Sequence, residues 1–178
     1  DVAQSFQPSK KAYLNKIQLK LKKYGNPSGD PTVRILRDNG GKPDKNNVLA
    51  TGKLLNSLVP LHPADFGWID ITFDQSPELD ENTTYWIAID TSVNVLNYWV
   101  WQNDLGESYS RGAPKWSPVW SVGNPIWNNI AGGGDLSFKV FLGDAISTIE
   151  GNSSLTIGVD DSHRADVYAN TIKNTIIR

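Results

Sequence analysis

The run Tyr13-Leu14-Asn15-Lys16-Ile17-Gln18-Leu19-Lys20-Leu21-Lys22-Lys23 decides how this chain is read. Tyr13, Ile17, Leu19 and Leu21 fall on one face at a period of two, and Lys16, Gln18, Lys20 and Lys22 fall on the other. Side chains alternate across an extended strand, so this is the pattern of a strand with one face buried and one face wet. Turn chemistry follows at Gly25-Asn26-Pro27-Ser28-Gly29-Asp30, and Val33 and Ile35 resume the alternation against Arg34.

Working outward, the same pattern recurs. Asp38-Asn39-Gly40-Gly41-Lys42-Pro43 is dense in turn formers and leads to a weaker strand around Val48 to Leu55. Phe66 to Phe73 places Ile69, Ile71 and Phe73 opposite Phe66, Trp68, Asp70 and Thr72, and Thr83 to Thr91 places Tyr85, Ile87 and Ile89 opposite Trp86, Ala88 and Asp90. In both strands the outward face carries a tryptophan. Asn97 to Gln102 is a short aromatic strand in which either Trp99 with Trp101, or Tyr98 with Val100, can be the inward pair. Leu136 to Leu142 aligns Leu136, Phe138, Val140 and Leu142.

Helical periodicity is absent. Many short strands between turns predict an all-β fold, a two-sheet jelly-roll β-sandwich over residues 1–143. Residues 144–178 read as a β-prone C-terminal extension, because aromatics thin out there and Asn170-Thr171-Ile172 is echoed by Asn174-Thr175-Ile176. Such an extension suits an exchanged strand or the start of a β-solenoid, with Tyr168, Ile172 and Ile176 as candidate assembly residues.

Composition narrows function. A formal net charge of −2 in 178 residues supplies no long-range field to gather nucleic acid or anionic lipid, so neither is expected as a partner. No apolar run approaches the roughly 20 residues of a membrane helix. With no cysteine there is no disulfide, thiolate metal site or cysteine nucleophile. The sequons at Asn82 and Asn152 carry little weight.

Chemistry is hard to place. The two histidines, His62 and His163, belong to no recognised spacing, and the glycines at Gly132 to Gly134 precede a strand rather than opening a helix. The pairs Asp80-Glu81 and Asp160-Asp161 read as solvated loop carboxylates, so a catalytic role is not expected. No catalytic cofactor is implied. Structural calcium is conceivable at loop aspartates, with Asp38 and Asp135 as the candidates and Asp44 and Asp144 behind them, although turn capping explains the same residues.

The seven tryptophans, roughly three times ordinary usage, carry the functional signal. Trp68 and Trp86 could form an exposed platform for sugar rings or for a partner protein, or a loop could cover them. Trp116, Trp120 and Trp127 lie in the Gly-, Pro- and Asn-rich stretch from Asn103 to Asp135, where binding residues and loop anchors both concentrate.

One resemblance spans about four fifths of the chain. Ala3-Gln4-Ser5-Phe6, Leu14-Asn15-Lys16-Ile17-Gln18-Leu19, Gly25-Asn26-Pro27, Val33-Arg34-Ile35, Phe66-Gly67-Trp68, Ser76-Pro77, Thr83-Thr84-Tyr85-Trp86-Ile87 and Asp135-Leu136-Ser137-Phe138-Lys139 occur in an order that resembles the choice-of-anchor R type of module. That resemblance implies a jelly roll in a secreted or surface-anchored, pilin-like bacterial protein, with no catalytic residues. The expected function is therefore an extracellular, cell-surface module for attachment or assembly, filament-like and partnered by copies of itself or by neighbouring surface proteins. Carbohydrate binding through exposed tryptophans is the alternative.

Overall fold

In the computed structural model, which describes residues 1–90, 94–106, 109–118, 120 and 126–144, the decisive run lies in a 13-residue strand, β2 (Ala12–Tyr24). Ile17, Leu19 and Leu21 are buried and Lys16, Gln18, Lys20 and Lys22 are not, as alternation requires. Tyr13 departs from the expected face: Leu14 is buried in its place. A register shift against β13 (Phe138–Gly143) accounts for this, since Phe141 pairs with Lys16 but Leu142 pairs with Leu14, leaving Asn15 as an extra residue. Such a bulge inverts the phase of alternation beyond it.

Two antiparallel sheets share the core. One runs β11 (Asn128–Asn129), β10 (Pro114–Trp116), β1 (Val2–Phe6), β7 (Tyr85–Ile89), β3 (Thr32–Asp38), β4 (Pro43–Lys53) and is called sheet A below. The other, sheet B, is organised around β2, with β13 and then β8 (Tyr98–Trp101) along one edge and β6 (Glu78–Leu79) and β5 (Gly67–Thr72) along the other. A two-stranded ribbon of β9 (Asn103–Asp104) and β12 (Asp135–Leu136) adjoins them. This is the all-β sandwich that the alternation predicted.

The core between the sheets takes Ile17, Leu19 and Leu21 from β2, Ile69 and Ile71 from β5, Val33 and Ile35 from β3 and Ile87 from β7, all 5 % exposed or less. At about 25 cal/mol per Å² of apolar surface withdrawn from water, each fully buried aliphatic side chain contributes about 1.5–3 kcal/mol against chain entropy. Phe138, Val140 and Leu142 pack at its margin beside Leu136, as their spacing predicted. The open question in β8 is resolved: Trp101 is buried and Trp99 packs on the same cluster, so Tyr98 and Val100 face outward.

Two expectations are corrected. The weak strand around Val48 to Leu55 is a strong one that begins at Pro43, because the turn closes earlier, over Asn39 to Lys42. There Gly40 and Gly41 adopt positive φ of 61° and 78°, and the Asp38 carboxylate accepts the Gly41 N–H at 2.9 Å. β7 is buried on both faces rather than one. It lies inside sheet A, and its second face, with Trp86 and Ala88, joins Ala3, Leu36 and Trp127 in a separate apolar cluster on which Trp120 packs.

The described residues belong to one compact unit, Asp1–Ile146. Tyr168, Ile172 and Ile176 lie outside the described residues.

Candidate functional site: the outer face of sheet B

The register of sheet B converts an unremarkable list of outward residues into a grid. Along β2 the outward positions Lys16, Gln18, Lys20, Lys22 and Tyr24 recur every two residues, about 7 Å apart. Antiparallel partners directly opposite one another share a face. Phe141 and Thr72 therefore flank Lys16, Lys139 and Asp70 flank Gln18, Trp68 sits beside Lys20, Val100 beside Lys22, and Tyr98 beside Tyr24.

Ammonium groups and rings interleave across this grid. The Lys139 Nζ lies 4.2 Å from the centre of the Trp68 ring and the Lys20 Nζ 5.7 Å from it. Lys22 lies 4.3 Å from Phe66 and 5.6 Å from Tyr24, and Lys16 lies 4.7 Å from Phe141. Tyr24 in turn stacks on Tyr98 at 5.1 Å and on His62 at 4.4 Å. Cations over aromatic faces are attracted by the ring quadrupole, by about 0.5–1 kcal/mol at exposed sites, so each ring restrains a flexible lysine at little cost.

The carboxylate in these rows is Asp70, which accepts the Lys16 ammonium at 2.9 Å and the Gln18 amide at 2.6 Å. Those two hydrogen bonds, Lys16 first, hold its carboxyl below the usual carboxylate range. Beside Trp68 the face dips into a groove of about 470 Å³ walled by Lys20, Lys139, Asp104, Tyr109 and Asp135.

The sequence-predicted residues divide sharply. Trp68 is 39 % exposed and sits at the centre of the grid. Trp86 is 2 % exposed and Trp127 6 %, so neither offers a face to a ligand: Trp86 is covered, the alternative to an exposed platform, and Trp127 is a loop anchor and not a binding residue. The reason is the cover on sheet A: the Trp86 indole donates to Asp38 at 2.7 Å, Arg34 lies 4.0 Å from the Trp120 ring, and Lys45 lies 4.8 Å from that of Trp127. Trp120 is partly buried in the same cover, and Trp116, 43 % exposed, lies on β10 beside Val2 and Asn128, away from Trp68.

The calcium candidates are not brought together. Asp38 spends both oxygens on Gly41 N–H and the Trp86 indole. Asp135 is buried, accepting the Gln4 amide at 3.0 Å and the Tyr109 N–H at 3.1 Å. Asp44 caps Asn46 N–H at 3.0 Å, and Asp144 is exposed. Among the described residues no three His, Cys, Asp or Glu side chains form a group able to hold a metal ion.

Compared with known proteins, the chain matches no family model, no curated protein and no solved structure.

Sequence reasoning placed Phe66 on the outward side with Trp68 but passed over Phe141, Tyr24, Tyr98 and Lys139 as members of this face. The signal was half present, because the lysine row of β2 and the outward Trp68 both follow from period two. What placed Lys20 beside Trp68 is strand register, which a single sequence does not carry.

Proposed function

We propose that this chain is a non-catalytic attachment module that holds a glycan on the outer face of sheet B. The observation behind the reading is the grid itself: an ordered row of exposed rings, Trp68 foremost, alternating with hydrogen-bonding side chains on a rigid β-sheet. Aromatic faces stack on the apolar faces of sugar rings, while Gln18, Asp70 and the lysines offer donors and acceptors to hydroxyl groups. A site on regular strands holds its geometry without ordering a loop at each encounter, which lowers the entropy lost on binding.

Extracellular or cell-surface placement, jelly-roll winding and kinship with choice-of-anchor modules belong to the same proposal, carried by the sequence resemblance. Assembly into a filament through Tyr168, Ile172 and Ile176 draws on residues outside the described ones, so glycan attachment is the reading with an observed surface behind it.

The test is titration of the full chain with a panel of neutral and acidic polysaccharides, followed by tryptophan fluorescence and calorimetry. Binding that Trp68→Ala abolishes while Trp116→Ala leaves it intact is the expected result. A chain that binds no polysaccharide would end the proposal.

A further inference from the structure

We infer that the glycan held by sheet B is acidic, with its carboxylate or sulfate groups bound by Lys20, Lys22 and Lys139. This rests on the glycan reading above and deepens it by naming the ligand's chemistry.

Three observations carry it. The first is charge. The rows of the grid hold four ammonium groups, those of Lys16, Lys20, Lys22 and Lys139, against the carboxylate of Asp70, in a chain whose formal total is −2. The groove wall beside Trp68 adds Asp104, which already accepts the Gly106 N–H, and Asp135, which already accepts the Gln4 amide and the Tyr109 N–H. A near-neutral total therefore conceals rows that are mainly cationic, and local charge is what a docked ligand meets once separations fall below the Debye length of about 8 Å.

The second is pairing. Asp70 is engaged by Lys16 and Gln18, whereas Lys20, Lys22 and Lys139 have no carboxylate partner among the described residues. Their ammonium groups are positioned instead by Trp68, Phe66 and Tyr24. A lysine steered by a ring has already surrendered part of its rotamer freedom, so an incoming anion gains a charge-assisted hydrogen bond at a reduced entropic cost.

The third is the placement of cations over the rings. Two ammonium groups lie within 5.7 Å of the Trp68 ring centre, so a neutral sugar stacking there competes with charges that gain nothing from it. An acidic sugar uses the same ring and satisfies the same ammonium groups. Lys20 and Lys22 stand two residues apart on β2, which repeats the charge at about 7 Å and suits a polymer bearing an acid group on successive units. A nucleic acid fits less well: Asp70 and Gln18 sit within the rows, where they accept and donate to hydroxyl groups but Asp70 repels a phosphate chain, and the net charge supplies no wider basic field.

The experiment compares ligands that differ in charge alone. Calorimetric titration of the full chain uses polygalacturonate against its methyl ester and dextran sulfate against dextran, with polyglutamate and single-stranded DNA as further arms. Binding of the charged glycans at least tenfold tighter than of their neutral counterparts is expected, with log K falling against log salt at a slope of about −2 to −3 for three engaged lysines. The double variant K20Q/K139Q should lose tenfold or more for the charged glycans at unchanged melting temperature, and K10Q, on an exposed residue outside the grid, should lose nothing.

Equal affinity for polygalacturonate and its methyl ester would overturn the acidic assignment while leaving glycan binding in place. Polyglutamate or DNA binding as tightly as the charged glycans would overturn it as well, by showing a surface that reads charge without sugar. Failure of every glycan, charged and neutral, would remove the parent reading together with this one.

Discussion

The two outer faces of this sandwich are built from the same ingredients and put to opposite use. On sheet A, Arg34 lies against Trp120 and Lys45 against Trp120 and Trp127, the two rings pack with Trp86, and Lys45 is 3 % exposed. On sheet B, Trp68, Phe66 and Phe141 meet Lys16, Lys20, Lys22 and Lys139 in the open. A cation over a ring is thus neither a core motif nor a binding motif by itself. What decides is whether chain passes over it, because removing water strengthens the attraction but charges the desolvation of the cation against it.

Truncation separates the faces most strongly. Trp86→Ala should destabilise the fold by about 3–5 kcal/mol, measured by urea unfolding, because it opens a cavity in the second cluster and takes from Asp38 the indole donor at 2.7 Å. Trp68→Ala on the exposed face should cost less than about 1 kcal/mol in the same measurement while removing glycan binding. Equal losses from the two substitutions would mean that the faces do not differ in the way their exposure indicates.

The buried cation gives a second contrast. Burial pushes the Lys45 ammonium below its ordinary value of 10.5, with the charge of Asp90 opposing the shift. Its charged form is therefore penalised in the folded state, and between the folded and unfolded pKa values the unfolded chain binds more protons. The sign follows: stability contributed at this site rises as pH climbs from the folded value toward 10.5, and below the folded value, where both states are protonated, it no longer changes. The stability of the wild type minus that of Lys45→Met, followed by urea unfolding from pH 8 to 10.5, should increase. A flat difference for Lys45 would mean that its ammonium is solvated.

How much of this was legible in the sequence follows from the same contrast. Period two along β2 and β5 is a local property, and it announced the buried Ile17, Leu19, Ile69 and Ile71 together with the outward Lys20 and Trp68. The bulge at Asn15, which exchanges Tyr13 for Leu14, arises from pairing with β13 about 125 residues away and leaves no local trace. Trp86 and Trp68 occupy equivalent outward positions in similar strands, so no feature of Thr84-Tyr85-Trp86-Ile87 or Gly67-Trp68-Ile69 alone distinguishes them. The difference is that β7 sits between β1 and β3 with Trp127 packed on it, whereas the outward residues of β5, Trp68, Asp70 and Thr72, are exposed. Cover is a tertiary property, and it turned one tryptophan into core and left the other as a platform.

The smallest effect tests the charge pattern of the open face. Asp70 is half-exposed, so the stability drawn from its bonds to Lys16 and Gln18 is a few tenths of a kcal/mol, present above pH 3.8 and lost as acid protonates the carboxyl through its lowered pKa. Asp70→Asn should leave urea unfolding at neutral pH within about 0.5 kcal/mol of the wild type. It removes the one carboxylate of the rows and releases the Lys16 ammonium to the ligand, so the affinity for polygalacturonate should rise about two- to fivefold and the salt slope should steepen by up to one unit. Unchanged affinity would place the acid groups of the ligand beyond the reach of Lys16 and confine the binding surface to the rows of Lys20, Lys22 and Lys139. Weaker affinity would show instead that Asp70 is needed by the sugar hydroxyl groups, making the row of Gln18 a neutral contact between two charged ones.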